Sequence, residues 1–155
     1  MEAVIFIGVQ GAGKTTFYRE AFLQTHTHIS LDVVRTRRRE ERLVAECLKA
    51  GQPFVIDNTN PLASDRSRYI APARAAGFRV VAYFFQSSLR DAIERNNLRT
   101  MKQKVPVAAV ASTYKKIQPP TTEEGFDTIY LVELTAGKFV VRPRMDLAAK
   151  KESGA

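Results

Sequence analysis

The chain has a single cysteine in 155 residues, Cys47, which rules out a disulfide framework and a multi-cysteine metal site. Set among Leu43, Val44 and Leu48, it reads as a small core residue. No apolar stretch approaches the roughly 18 residues that suggest a membrane span. The opening MEAVIFIG lacks the basic start and small-residue cleavage site of a secretory signal, so a cytoplasmic protein is expected. Internal repeats and low-complexity tracts are also missing. Acidic residues are in deficit, 16 against 24 basic, for a net charge of +8; an excess of that sign favours phosphate-rich partners. Part of it lies in RTRRREER, Arg35 to Arg42, which reads as a solvated helix face with internal ion pairs.

What is present is the balance of one globular domain, 45% hydrophobic and 26% charged, long enough to bury a substantial core. AVIFI, FVID (Phe54 to Asp57) and FRVVAYFF (Phe78 to Phe85) read as buried strands. KTTFYREAFLQ, VVRTRRREERLVAECLKAG, LASDRSRYIAPARAAG and SLRDAIERNNLRTM read as helices between and after them, two of them closed by Gly51 and Gly77. Ser88 with Asp91 reads as a capping pair. Pro72, inside the third helical pattern, predicts a kink or a break. MKQKVP interrupts the pattern, a short helix VPVAAVASTYKKI follows, Gln118 to Gly125 is a loop, and DTIYLVEL and KFVVRP form two more strands, a hairpin over Ala136 and Gly137. This βαβ series predicts an α/β fold, a mostly parallel sheet with helices on both faces. Residues 1–145 are expected to form one domain, and 146–155 a frayed polar tail.

Gly8, Gly13, Lys14 and Thr15 fit GxxxxGK[ST], between a strand and a helix as the phosphate loop requires. Glycines let successive N–H groups point inward, and the following helix presents its positive end. Gly8, Gln10, Gly11, Ala12, Gly13, Lys14, Thr15 and Thr16 are therefore expected to bind the nucleotide. Lys14 would neutralise the β- and γ-phosphates of ATP, and the Thr15 hydroxyl would ligate Mg²⁺. The dinucleotide fingerprint GxGxxG fails, because the glycines fall at 8, 11 and 13. No base-reading NKxD motif is present.

Three further segments bear on the acceptor. Asp32 follows HIS, where a second strand ends and a helix begins, and reads equally as a general base or as the helix N-cap. FVIDNTNP ends a strand on Asp57, which either holds the metal with Thr15 or forms an Asx turn before a helix starting on Pro61. Arg95 and Arg99 share a helical face before MKQKVP; they either close over the phosphates or form an exposed basic helix end.

GVQGAGKTT, ISLDVVR, FVIDNTNP with SRYIAPARAAG behind it, and IERNNLRTMKQKVP together resemble the kinase domain of the 5′-hydroxyl polynucleotide kinases, in that family's order over about Ala3 to Lys116. The resemblance implies an α/β P-loop NTPase fold with a short lid and a P-loop kinase domain over 1–145, in which Asp32 takes the proton of a 5′-hydroxyl on DNA or RNA and Arg35 grips a nucleic-acid phosphate. Arg99 would be the lid arginine on the ATP phosphates, with Arg95 near it. Thr59 and Asn60 would shape the acceptor groove. The phage enzyme carries its acid directly before the Thr-Asn pair, where this chain has Asn58; Asp57 comes one earlier, as in the animal enzyme. No DxDGT phosphatase signature occurs and no ligase domain follows, so 3′-phosphate removal and joining are expected on separate polypeptides. Two other readings stand beside this one. One is a kinase for a sugar, nucleoside or antibiotic hydroxyl; the other is an ATPase or switch module that transfers only to water.

Overall fold

A computed structural model describes residues 1–100 and 104–144. The expected tail 146–155 and Met101–Gln103 of the interrupting segment lie outside the described residues.

Six strands form one sheet, β1 (Glu2–Ile7), β2 (Thr27–Ile29), β3 (Phe54–Ile56), β4 (Arg79–Gln86), β5 (Thr128–Thr135) and β6 (Lys138–Pro143), in the order β2-β3-β1-β4-β5-β6. All neighbours are parallel except β5 and β6. The antiparallel pair turns over Ala136 and Gly137, both at positive φ of 50° and 75°, the primed turn whose twist matches the strands. The helices are α1 (Lys14–Ala21), α2 (Leu31–Val34), α3 (Arg37–Ala50), α4 (Ala63–Ala75), α5 (Leu89–Asn97) and α6 (Val107–Lys116). Among the described residues no helix is long and apolar enough to cross a membrane.

Side chains alternate across β1, so one strand feeds two cores. Ala3, Ile5 and Ile7 pack with Val44 and Cys47 of α3 and Tyr69, Ile70 and Ala73 of α4. Val4 and Phe6 pack on the other face with Phe17 and Tyr18 of α1, Ala92 of α5 and Val110 of α6. Helices therefore cover both faces, and Cys47 is the core residue it resembled.

Four expectations need correction. The long helix from Val33 to Gly51 is two helices, because Arg35 turns to φ 77° and Thr36 caps α3 through Arg39 N–H at 3.2 Å. The basic run is not all solvated: Glu40 lies in it and is 0% exposed. Of the kink or break expected at Pro72, the break does not occur, since α4 continues to Ala75; Pro72 and Arg68, whose carbonyl loses its partner, are both exposed residues. Helix α4 starts at Ala63 rather than Pro61, held by Asp65 Oδ2, which accepts from Leu62 N–H at 3.0 Å. Gly51 and Gly77 close their helices at φ 69° and 79°, and Ser88 accepts from Asp91 N–H.

Candidate active site

The parallel order sets β1 between β3 and β4, so the segments leaving the C-terminal ends of β1 and β3 lie side by side, where ligands collect in open α/β sheets. One hydrogen bond joins them, from Gly8 N–H to the Thr59 carbonyl at 3.1 Å. Two glycines of the loop have a steric reason. A Cβ on Gly8 would stand 2.9 Å from Phe85 Cβ, and one on Gly11, at φ 80°, would stand 2.5 Å from the Ala92 carbonyl oxygen. Helix α1 begins on Lys14 with no side-chain cap, which leaves its first amides and positive end to an anion.

Lys14 Nζ donates to the carbonyls of Gly8 at 3.0 Å and Val9 at 2.8 Å, holding the ammonium across the mouth of the loop. Burial lowers its pKa most, Asp57 and Asp32 pull it upward, Arg99 pushes it down, and the balance leaves it at about 8. The charges of Asp57, Arg99 and Asp32, drawn from three separate segments, thus all act on one ammonium.

Asp57 is 5% exposed. Its Oδ2 accepts from the Thr15 hydroxyl at 2.8 Å and pairs with His28 Nε2 at 2.8 Å. Burial alone would raise the carboxyl, but the His28 hydrogen bond, the Lys14 charge and the Thr15 hydroxyl outweigh it and hold Asp57 below the usual carboxylate range. The bonds to Thr15 and His28 replace the Asx turn. With the hydroxyl proton directed at Asp57, the lone pairs of Thr15 Oγ1 stay free for a cation. Among the described residues no group of three or more His, Cys, Asp or Glu could hold a metal unaided. Any Mg²⁺ here would complete its shell with water and phosphate oxygens, as Mg²⁺ commonly does.

Asp32 is exposed on the second position of α2. The N-cap reading fails, because Ser30 caps that helix and accepts from the Asp32 N–H at 3.3 Å. Its carboxylate takes no hydrogen bond among the described residues. Arg35 closes the same helix, its side chain exposed and likewise unpartnered among the described residues. Arg95 is half-buried against the loop, donating to the Gly11 carbonyl at 3.4 Å and to Ser87 at 3.1 Å, which is not a free basic helix end. Gln10 reaches α6, donating to Thr113 Oγ1 at 3.2 Å. Ala12 is buried, and Thr15 and Thr16 are exposed at the helix start.

Thr59 reaches the loop through its backbone. Asn60 turns inward at φ 46°, 3% exposed, and donates to the Phe6 carbonyl at 2.8 Å, so its side chain ties the turn after β3 to β1. Behind it sits Arg66, fully buried, which donates to the carbonyls of Asn60 at 2.9 Å, Pro61 at 3.0 Å and Gln118, and to Glu124 at 3.0 Å. Sequence reasoning missed Arg66, His28 and Glu40. For His28 the signal was its place two residues before Ser30 on a strand parallel to β3, in register with Val55.

The chain is 29% identical over 132 residues to a bifunctional polynucleotide phosphatase/kinase of Schizosaccharomyces pombe, covering 83% of this chain and 32% of that protein. It thus spans about a third of the length of that curated relative. Its fold matches Kti12 of Chaetomium thermophilum, solved with ADP-AlF3, at a TM-score of 0.68 and 13% identity, covering 84% of this chain and 88% of that one. It also matches a gluconokinase of Sinorhizobium meliloti 1021 at 0.59 and 16%, covering 85% and 82%. The architecture is that of the P-loop kinases. Residues 35–120, more than half of its length, match one family directly, and the chain belongs to that family, the AAA domain.

Proposed function

We propose that this domain transfers the γ-phosphoryl group of ATP, with Mg²⁺, to the 5′-hydroxyl end of a polynucleotide. The observation that carries the proposal is the Thr15 hydroxyl bound to the buried Asp57 at the start of the helix whose Lys14 lies across the mouth of the loop, with the second acid, Asp32, free of hydrogen bonds among the described residues. Similarity to a relative named for polynucleotide kinase activity and the net charge of +8 support the choice of acceptor.

In this reading the loop amides and Lys14 hold the β- and γ-phosphates, and Thr15 and Asp57 hold the cation. Bound Mg²⁺ supplies neutralisation of the phosphate charge. Arg35 grips a phosphate of the acceptor strand, and Asp32 takes the proton of its 5′-hydroxyl. The hydroxyl oxygen bonds to the γ-phosphorus, the bond from that phosphorus to the bridging oxygen breaks, and ADP leaves. Arg99 meets the charge spread over the transferred group. Little else is asked of the protein, since in-line placement and charge neutralisation carry phosphoryl transfer.

Labelled ATP, Mg²⁺ and a panel of 5′-hydroxyl oligonucleotides beside small hydroxylated metabolites test the proposal. Transfer to oligonucleotides is expected, weakening steeply from low to physiological salt. Transfer to a neutral metabolite alone would assign the domain instead to the metabolite kinases, whose fold it shares. Release of phosphate to water alone would make it an ATPase. Asp32→Asn is expected to keep ATP binding and lose transfer by a factor of about 100 or more.

A further inference from the structure

Glu40 is the one fully buried carboxylate among the described residues, and its hydrogen-bond partners all lie outside the phosphate loop. Its Oε1 accepts from Arg37 Nη1 at 2.9 Å and from the Tyr69 hydroxyl at 2.8 Å. Its Oε2 accepts from Asn58 Nδ2 at 2.8 Å. Burial and the adjoining Glu40 push the Tyr69 phenol up to about 12, so it stays a donor. The far end of the Asn58 amide completes the chain of bonds: Oδ1 accepts from the backbone N–H of Leu31 at 2.9 Å, the first residue of α2 and the neighbour of Asp32. A continuous path thus runs from α4 through α3 and the turn after β3 to the helix that carries Asp32 and Arg35.

The polarity of this path is fixed at both ends. A carboxylate demands a donor from residue 58 on one side, and a backbone N–H demands an acceptor on the other. The two ends of the Asn58 amide provide both. A carboxylate at 58 would satisfy Leu31 but set two acidic oxygens against each other away from water, where like charges repel most strongly.

We infer that Asn58 and Glu40 act as a matched donor–acceptor pair that sets α2, and with it Asp32 and Arg35, opposite the Lys14 loop. They are positioning residues, touching neither nucleotide nor acceptor. The inference rests on the proposed function for what Asp32 and Arg35 do.

A reciprocal exchange tests it. In Asn58→Asp, two carboxylates face each other; in Glu40→Gln, two amide donors do. In the double variant the pair is rebuilt with reversed polarity. The new carboxylate at position 58 accepts from Leu31 N–H and from the new amide at position 40, whose oxygen accepts from Arg37 and Tyr69. Each single change is expected to lower kcat/KM for the acceptor by a factor of about 30 or more while the KM for ATP stays within about threefold. The double should recover most of the loss, since coupling between touching residues is what such a cycle isolates. Hydrogen exchange over residues 30–36 is followed in the same proteins and needs no acceptor: the single variants should lose protection there and the double regain it. Unchanged exchange, a proportional loss of ATP affinity, or a double no better than the worse single overturns the inference. If the wild type phosphorylates no acceptor but the exchange pattern holds, the kinase reading falls and the positioning of α2 stands. Should Asn58→Asp fail to fold, Asn58→Ala, which loses the Leu31 bond without adding charge, gives the same reading of exchange and kinetics.

Discussion

Replacing Arg35 by glycine should make the protein more stable and less active. Arg35 closes α2 at φ 77°, ψ −31°, a conformation that costs a side-chain-bearing residue about 1–3 kcal/mol. Glycine relieves that cost but loses more freedom on folding, about 0.5–1 kcal/mol, for a net gain of about 1 kcal/mol. In a chain of this size that raises Tm by about 3 °C. The guanidinium lost is the one proposed to hold a phosphate of the acceptor. A charge-assisted hydrogen bond contributes about 2 kcal/mol, so acceptor KM should rise by a factor of about 30. Arg35→Ala separates the two effects: it keeps the backbone cost and loses the guanidinium, so its KM should match the glycine variant while its Tm stays at or below that of the wild type. Thermal unfolding followed by circular dichroism, with oligonucleotide titrations at fixed ATP, reads both quantities. A glycine variant melting below the alanine variant would refute the strain argument; an acceptor KM unmoved in both would remove Arg35 from the site.

Four further expectations concern the loop and its neighbours. Because Lys14 titrates at about 8 in the free protein, polyphosphate binding should draw in about half a proton at pH 8 and about a tenth at pH 7, measurable by calorimetry in buffers of different ionisation enthalpy; uptake that grows toward pH 7 would contradict this. The same lowering means that the folded chain binds fewer protons than the unfolded one between pH 8 and 10.5, so the nucleotide-free protein should gain stability across that window, and bound nucleotide should flatten the gain. Asp57 is held below its ordinary value of 3.8, so its contribution is complete above that pH and lost as the pH falls through the lower folded value; Asp57→Asn should flatten the acid limb of a plot of Tm against pH, and an unchanged limb would show that the carboxylate is not held. Gly11→Ala should cost about 2–4 kcal/mol and clearly more than Gly13→Ala. Both sit at positive φ, but the Cβ at 11 meets a backbone carbonyl at 2.5 Å, whereas at 13 it meets the Phe139 ring at 3.1 Å, which can swing aside; comparable chemical-denaturation midpoints would count against this packing.

Much of the scaffold was legible in the sequence because its signals are local. The phosphate loop announces itself within nine residues, the buried strands are uninterrupted apolar runs, and the turn at Ala136 and Gly137 lies between two of them. Other features depended on distant partners. Glu40 sits among arginines and reads as solvated, yet its partners Tyr69 and Asn58 come from other segments. The division between α2 and α3 had a signal in Thr36, a good N-cap, but the apolar period ran through it. Asp57 could be paired with Thr15 from the motif, whereas the contribution of His28 needs the parallel register of β2 on β3. Arg66 offered no signal at all, since most of its partners are backbone carbonyls.

That buried guanidinium has an evolutionary consequence. It staples the turn following β3 to Gln118 and Glu124, 52 and 58 positions downstream of Arg66 itself, so the turn cannot be lengthened or relaxed one anchor at a time. Variation in that turn is therefore tied to variation at both distant anchors, whereas α5 and α6 hold no buried charge among the described residues and can drift independently of it.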